Sequence, residues 1–116
     1  METFKNETEL VNYLIHRLNA AGNFVWRNNT GAMPLFYTNK KGIQKRRFLH
    51  IGMKGASDIL GVSKSGKFVG IEAKYGKNKT TQHQDLFLQE VTNRGGIAVI
   101  ARSWEDIPDE LKDGDK

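Results

Sequence analysis

Lys54-Gly55-Ala56-Ser57-Asp58-Ile59-Leu60-Gly61 and, a short turn later, Gly70-Ile71-Glu72-Ala73-Lys74 set two carboxylates and a lysine inside segments that otherwise read as apolar strands. Between them, Lys64-Ser65-Gly66 reads as a three-residue hairpin loop, a type I turn closed by a glycine in the left-handed region. Such a loop pairs Ser63 with Lys67. Counted back along both strands, the same register sets Asp58 opposite Glu72, with Cβ atoms about 4.5 to 5.5 Å apart. Like charges directly opposite one another repel, so the pattern points to a cation held between the carboxylates. Lys74, two residues beyond Glu72, projects from the same face.

The 116 residues suffice for a single domain, 1–116, able to bury a modest core. Eighteen Lys and Arg against 13 Asp and Glu give a net charge of +5, which favours a polyanionic partner. The absence of cysteine excludes disulfides and thiolate metal sites, and His16, His50 and His83 lack zinc-ligand spacing, so metal chemistry here must use oxygen ligands. No apolar stretch is long enough for a membrane span and the first residues lack the apolar core of a signal peptide. The expected location is the cytoplasm, with no membrane partner.

Leu10, Val11, Leu14, Ile15 and Leu18 recur at helical spacing over Glu7 to Ala21, ahead of Gly22-Asn23. A short strand is expected at Phe24-Val25-Trp26, followed by the polar loop Arg27-Asn28-Asn29-Thr30-Gly31. The signal is poorer from Ala32 to Met53, where Leu35-Phe36-Tyr37 and Phe48-Leu49-His50-Ile51 are candidate strands around a basic turn. Phe36, Tyr37 and Trp26 read as core or hairpin residues rather than base-stacking platforms. After the hairpin and a flexible link, 75–79, Thr80 or Thr81 can cap a helix that runs to Gly95-Gly96. The apolar run Ile97-Ala98-Val99-Ile100-Ala101 predicts a strand covered on both faces. A last short helix is expected after Ser103, fraying through the charged tail. This order suggests an α/β sandwich with a mixed central sheet flanked by helices.

Asp58, Glu72-Ala73-Lys74, the upstream Arg27-to-Gly31 loop, and Gln84 with Phe87 and Gly95 downstream form an ordered set. It resembles the VRR-NUC (virus-type replication-repair nuclease) domain of the PD-(D/E)XK nuclease superfamily and, more distantly, archaeal Holliday-junction resolvases. The likeness spans roughly Glu7 to Asp106. It implies a restriction-endonuclease-like fold and an endonuclease dependent on Mg2+ or Mn2+. The implied substrate is branched or junction DNA in replication and repair, cut by a homodimer in a bacterial or phage-infected cell among replication-repair proteins.

In such an enzyme Asp58 and Glu72 would be the metal ligands, with the Ala73 backbone carbonyl adding a further oxygen. Lys74 would stand over the attacking water and the phosphate. The resemblance selects Gln84 over Gln82 as a catalytic residue, and it draws in Glu7, a helix glutamate that precedes Leu10 and Val11 by three and four residues. Glu7 lies on the inward stripe of its helix, whereas Glu9 is rotated away. Arg27, Asn28, Asn29, Thr30, Lys40, Lys41, Lys45, Arg46, Arg47 and Lys54 are the expected DNA contacts, positioning the backbone without reading sequence. Two rival readings stay open: a non-catalytic nucleic-acid-binding module, and a nuclease subunit active only with a partner. A bland alternative puts Asp58 at a strand end and Glu72 with Lys74 in a surface ladder. The apolar neighbours Ile59, Leu60, Val69 and Ile71 argue against it.

Overall fold

The structure, a computed structural model, describes residues 3–29 and 31–113, the side chains of residues 31–33 and 49–51 excepted. Helix α1 spans Glu7–Ala20 and starts where the Asn6 side chain accepts a hydrogen bond from the Glu9 N–H. Its buried stripe is Leu10, Val11, Leu14 and Leu18. Each such leucine, withdrawn fully from water, contributes on the order of 2 kcal/mol. Past the helix, Asn23 is buried and ties three elements together. Its amide donates to the Leu18 and Leu111 carbonyls, and its carbonyl accepts from the Lys64 N–H.

Strands β1 (Phe24–Arg27), β4 (Ile59–Val62), β5 (Phe68–Ala73) and β6 (Ile97–Ala101) form one sheet in the order β1-β4-β5-β6. The first three pair antiparallel and β6 joins β5 in parallel, with helix α2 (Gln82–Asn93) as the crossover. The fold is therefore α/β with a mixed sheet. Strands β2 (Gly31–Thr38) and β3 (Gln44–Ile51) form a separate two-stranded ribbon.

The expected hairpin register is present. The Ser63 N–H donates to the Lys67 carbonyl at 2.8 Å, and Gly66 closes the turn at φ +91°. Ile59 faces Ile71, so the next positions outward are Asp58 and Glu72. Strand alternation sends Val25, Ile59, Val69, Ile71 and Ala73 to one face. There they join α1, Ile97, Val99 and Ala101 in the main core. Glu72 and Gly70 belong to the opposite face, where Phe87 and Val91 of α2 lie against Gly70.

Three expectations are corrected. Strand β6 is the sheet's edge and leaves Ile100 exposed, so its apolar run does not reflect cover on both faces. The last helix is replaced by two 3-10 turns, Trp104–Asp106 and Asp109–Leu111. Pro108 lies between them; it has no N–H to continue a helix, and it holds Ile107 extended at φ −75°, ψ 129°. These turns are docked, with Trp104, Ile107 and Leu111 buried, while residues 114–116 of the expected fraying tail lie outside the described residues. The link 75–79 is pinned: Arg102 donates to the carbonyls of Gly76 and Asn78 at 2.7 Å each.

Candidate active site

Glu72 projects from β5 and is only 1% exposed. Desolvation is the largest reason its carboxyl titrates far above the ordinary range, pushed up from 4.5 to about 8. The neighbouring Asp58 charge raises it further, and Lys74 opposes the rise. Two acids therefore share one small volume, as the register requires.

Asp58 is held by backbone on two sides. Its Oδ2 accepts from the Ala73 N–H at 3.0 Å, and its carbonyl accepts from the Asn28 N–H at 2.7 Å. The Asn28 side chain adds a bond to the Ser57 carbonyl at 3.2 Å. Ala73 is the buried last residue of β5, and the Lys74 N–H continues the parallel ladder by donating to the Ala101 carbonyl. Lys74 is buried too, with Nζ 3.6 Å from Glu72 Oε2.

Gln84 comes to this site from the first turn of α2. Thr81 caps the helix, and Gln84 completes a capping box. Its Oε1 accepts from the Thr81 N–H at 2.8 Å, which turns its amide nitrogen toward Glu72 Oε2 at 2.6 Å. The helix start also brings the positive end of its dipole toward the acid pair. Gly55 fixes the distance between the Asp58 loop and this helix. A Cβ at Gly55 would lie 2.4 Å from the His83 carbonyl oxygen, and its φ is +85°.

Two polar atoms here are buried without a partner, Glu72 Oε1 and Ser57 Oγ. An unpartnered buried carboxylate oxygen beside a second carboxylate is a hard-oxygen donor set, the kind that suits Mg2+ or Mn2+. Among the described residues no three His, Cys, Asp or Glu side chains converge, so no third acidic side chain completes the set.

The structure thus brings Asp58, Glu72, Ala73, Lys74 and Gln84 together. Among the described residues no hydrogen bond or ion pair links Glu7 to them. It is half-buried in the first turn of α1, a helix packed on the opposite face of the sheet, and it completes no three-carboxylate group among the described residues. Arg27 and Asn29 are exposed, but Asn28 is committed to the Asp58 loop. Thr30 lies outside the described residues. Lys40, Lys41, Lys45, Arg46 and Arg47 are exposed on the ribbon and its turn, which pair with no strand of the central sheet. Lys54 is exposed at the rim of an apolar cleft of about 690 Å3 beside α2, lined by Met53, Phe68, Leu86, Phe87 and Val91.

Sequence reasoning missed the buried hydroxyl of Ser57, the clamp by Asn28 and the pinning by Arg102. Ser57 sits in the small-residue run before Asp58, the one local sign of close packing there. No protein-family model matches the chain, and no curated protein matches it in sequence. Among the described residues no helix is long and apolar enough to cross a membrane.

Proposed function

We propose that this chain is a metal-dependent endodeoxyribonuclease of restriction-endonuclease-like fold that hydrolyses phosphodiester bonds in branched DNA. The observation that carries the reading is the buried Glu72 carboxyl, with Oε1 unpartnered beside Asp58 and Lys74. Burying such a group costs several kcal/mol, and perturbed titration of this kind concentrates at functional sites. A module that only binds nucleic acid needs basic surface and no buried acid pair, which disfavours the non-catalytic alternative.

Asp58, Glu72 and the Ala73 carbonyl would hold the ion. Magnesium or manganese bound there supplies charge stabilisation at the phosphoryl group and a more acidic water. Gln84 fixes the Glu72 carboxyl through Oε2, leaving Oε1 without a partner and so available to an ion. Asn28 and the Ala73 N–H hold Asp58 from behind. Lys74, already desolvated, would add positive charge where negative charge builds up on the transferring phosphate.

The basic ribbon and Arg27 supply phosphate contacts. Phe24, Trp26, Val62 and Phe68 are exposed, an apolar surface suited to a second protomer in a homodimer. The setting that fits is the cytoplasm of a bacterial or phage-infected cell, among replication and repair proteins.

The test is cleavage by the pure protein of labelled linear, flap, bulged and four-way-junction DNA, with Mg2+, Mn2+ or EDTA. Metal-dependent cuts at the branch are expected, and Asp58→Ala and Glu72→Ala should abolish them. Cleavage that persists in both variants would remove the assignment. Cleavage that appears only on adding cell extract would favour the partner-dependent reading.

A further inference from the structure

The ribbon of β2 and β3 pairs with no strand of the central sheet. Eight residues per strand give it a length of about 26 Å. The whole chain is correspondingly elongated, 66 × 33 × 25 Å. Residues 31–51 hold Lys40, Lys41, Lys45, Arg46 and Arg47 and no acidic residue, a charge equal to the net +5 of the chain. The remaining 13 cations are matched by the 13 acids elsewhere.

Register divides these groups between two faces. Phe36 lies opposite Arg46, and Pro34 opposite Phe48, on one side; Leu35 lies opposite Arg47, and Tyr37 opposite Lys45, on the other. The Arg46 guanidinium sits 5.2 Å from the Phe48 ring centroid. Phe36 and Phe48 are about 60% exposed, and Leu35 and Tyr37 are exposed as well. Both faces therefore carry the same pairing of cation with apolar or aromatic side chain. The cations suit phosphate and the rings suit base faces.

A ribbon lying in one groove of a linear duplex would meet DNA with one face and water with the other. Two equivalent faces require nucleic acid on both sides, and a branch point offers that. Resting on the nuclease reading above for the substrate class, we propose that the β2–β3 ribbon is a pin that stands between the duplex arms of branched DNA. Phe36 and Phe48 pack against bases exposed on one side, and Leu35 and Tyr37 against those on the other. A second copy of this chain is a poorer occupant. Two ribbons of this charge repel, and the apolar cleft beside α2 is rimmed by Lys54, Lys67 and Arg94.

The experiment uses the full chain in EDTA, so that binding is read without cleavage, and a three-way junction with 2-aminopurine at the branch. Binding should raise the probe's fluorescence. The double variants Phe36→Ala/Phe48→Ala and Leu35→Ala/Tyr37→Ala should each suppress that rise and weaken junction binding about tenfold, the scale of one lost stacking contact. Affinity for a linear duplex of equal length should change far less. Melting temperatures should stay near wild type, because these side chains are exposed. Unchanged fluorescence, equal losses on linear and branched DNA, an effect from one face alone, or conversion of a dimer to a monomer would each overturn the pin. A protein that binds junctions in this way yet never cuts them would retain the pin and sink the nuclease reading.

Discussion

Gln84 donates to Glu72 Oε2 across 2.6 Å while accepting from the Thr81 N–H at 2.8 Å, so one side chain both closes the cap of α2 and grips the buried carboxyl. Gln84→Ala removes both bonds and should cost about 1 to 2 kcal/mol of stability and at least tenfold in cleavage. Gln84→Glu can still cap the helix but sets a second acid against Glu72. Its stability deficit should therefore widen between pH 5 and pH 8. Chemical denaturation at the two pH values checks this.

Glu72 makes the metal-free protein sensitive to pH. Its carboxyl titrates near 8 in the folded chain and near 4.5 when unfolded, so the folded state holds the extra proton throughout that interval. Stability should therefore fall as pH rises from 4.5 to 8, by an amount on the order of a few kcal/mol, and level off above. Glu72→Gln should flatten the fall. Denaturant titrations in EDTA across this range measure it.

Gly61 is a steric requirement. A Cβ there would lie 2.2 Å from the Phe24 carbonyl oxygen and 2.7 Å from the Val25 Cα, both backbone atoms of the neighbouring strand. Gly61→Ala should cost about 3 kcal/mol or prevent folding. Gly66→Ala meets nothing within 4 Å and bears only its positive φ, so a loss of about 1 kcal/mol is expected. Thermal melting of the pair separates the two causes.

DNA affinity should fall steeply with salt, with a log-log slope near −0.9 for each phosphate neutralised on duplex. Replacing Lys40, Lys41, Lys45, Arg46 and Arg47 with glutamine should flatten that slope. An unchanged slope would place the DNA elsewhere on the molecule.

The hairpin and its acid pair were legible because a three-residue loop fixes register and register fixes faces. The α1 stripe was legible from its 3.6-residue period. Around residues 32–53 the sequence was harder to read, since Phe36 and Tyr37 look like core or hairpin residues until the ribbon is seen to pair with no other strand and to leave them exposed. For β6, an apolar run could not distinguish a central strand from an edge. Glu7 shares the inward stripe of α1, as expected, but that stripe faces the side of the sheet away from Glu72. Helical periodicity gives a direction on the helix and says nothing of which sheet face the helix covers. The contacts of Asn28, Ser57 and Arg102 depend on partners distant in sequence, which no local pattern encodes.

The central claim is that Asp58 and Glu72 together hold a divalent ion. Titration of the protein with Mn2+, following free Mn2+ by electron paramagnetic resonance at pH 8, tests it most directly. Wild-type protein and Lys74→Ala should bind Mn2+, whereas Asp58→Asn and Glu72→Gln should lose that binding while remaining folded. Absence of Mn2+ binding by the wild type, or equal binding by both carboxylate variants, would contradict it.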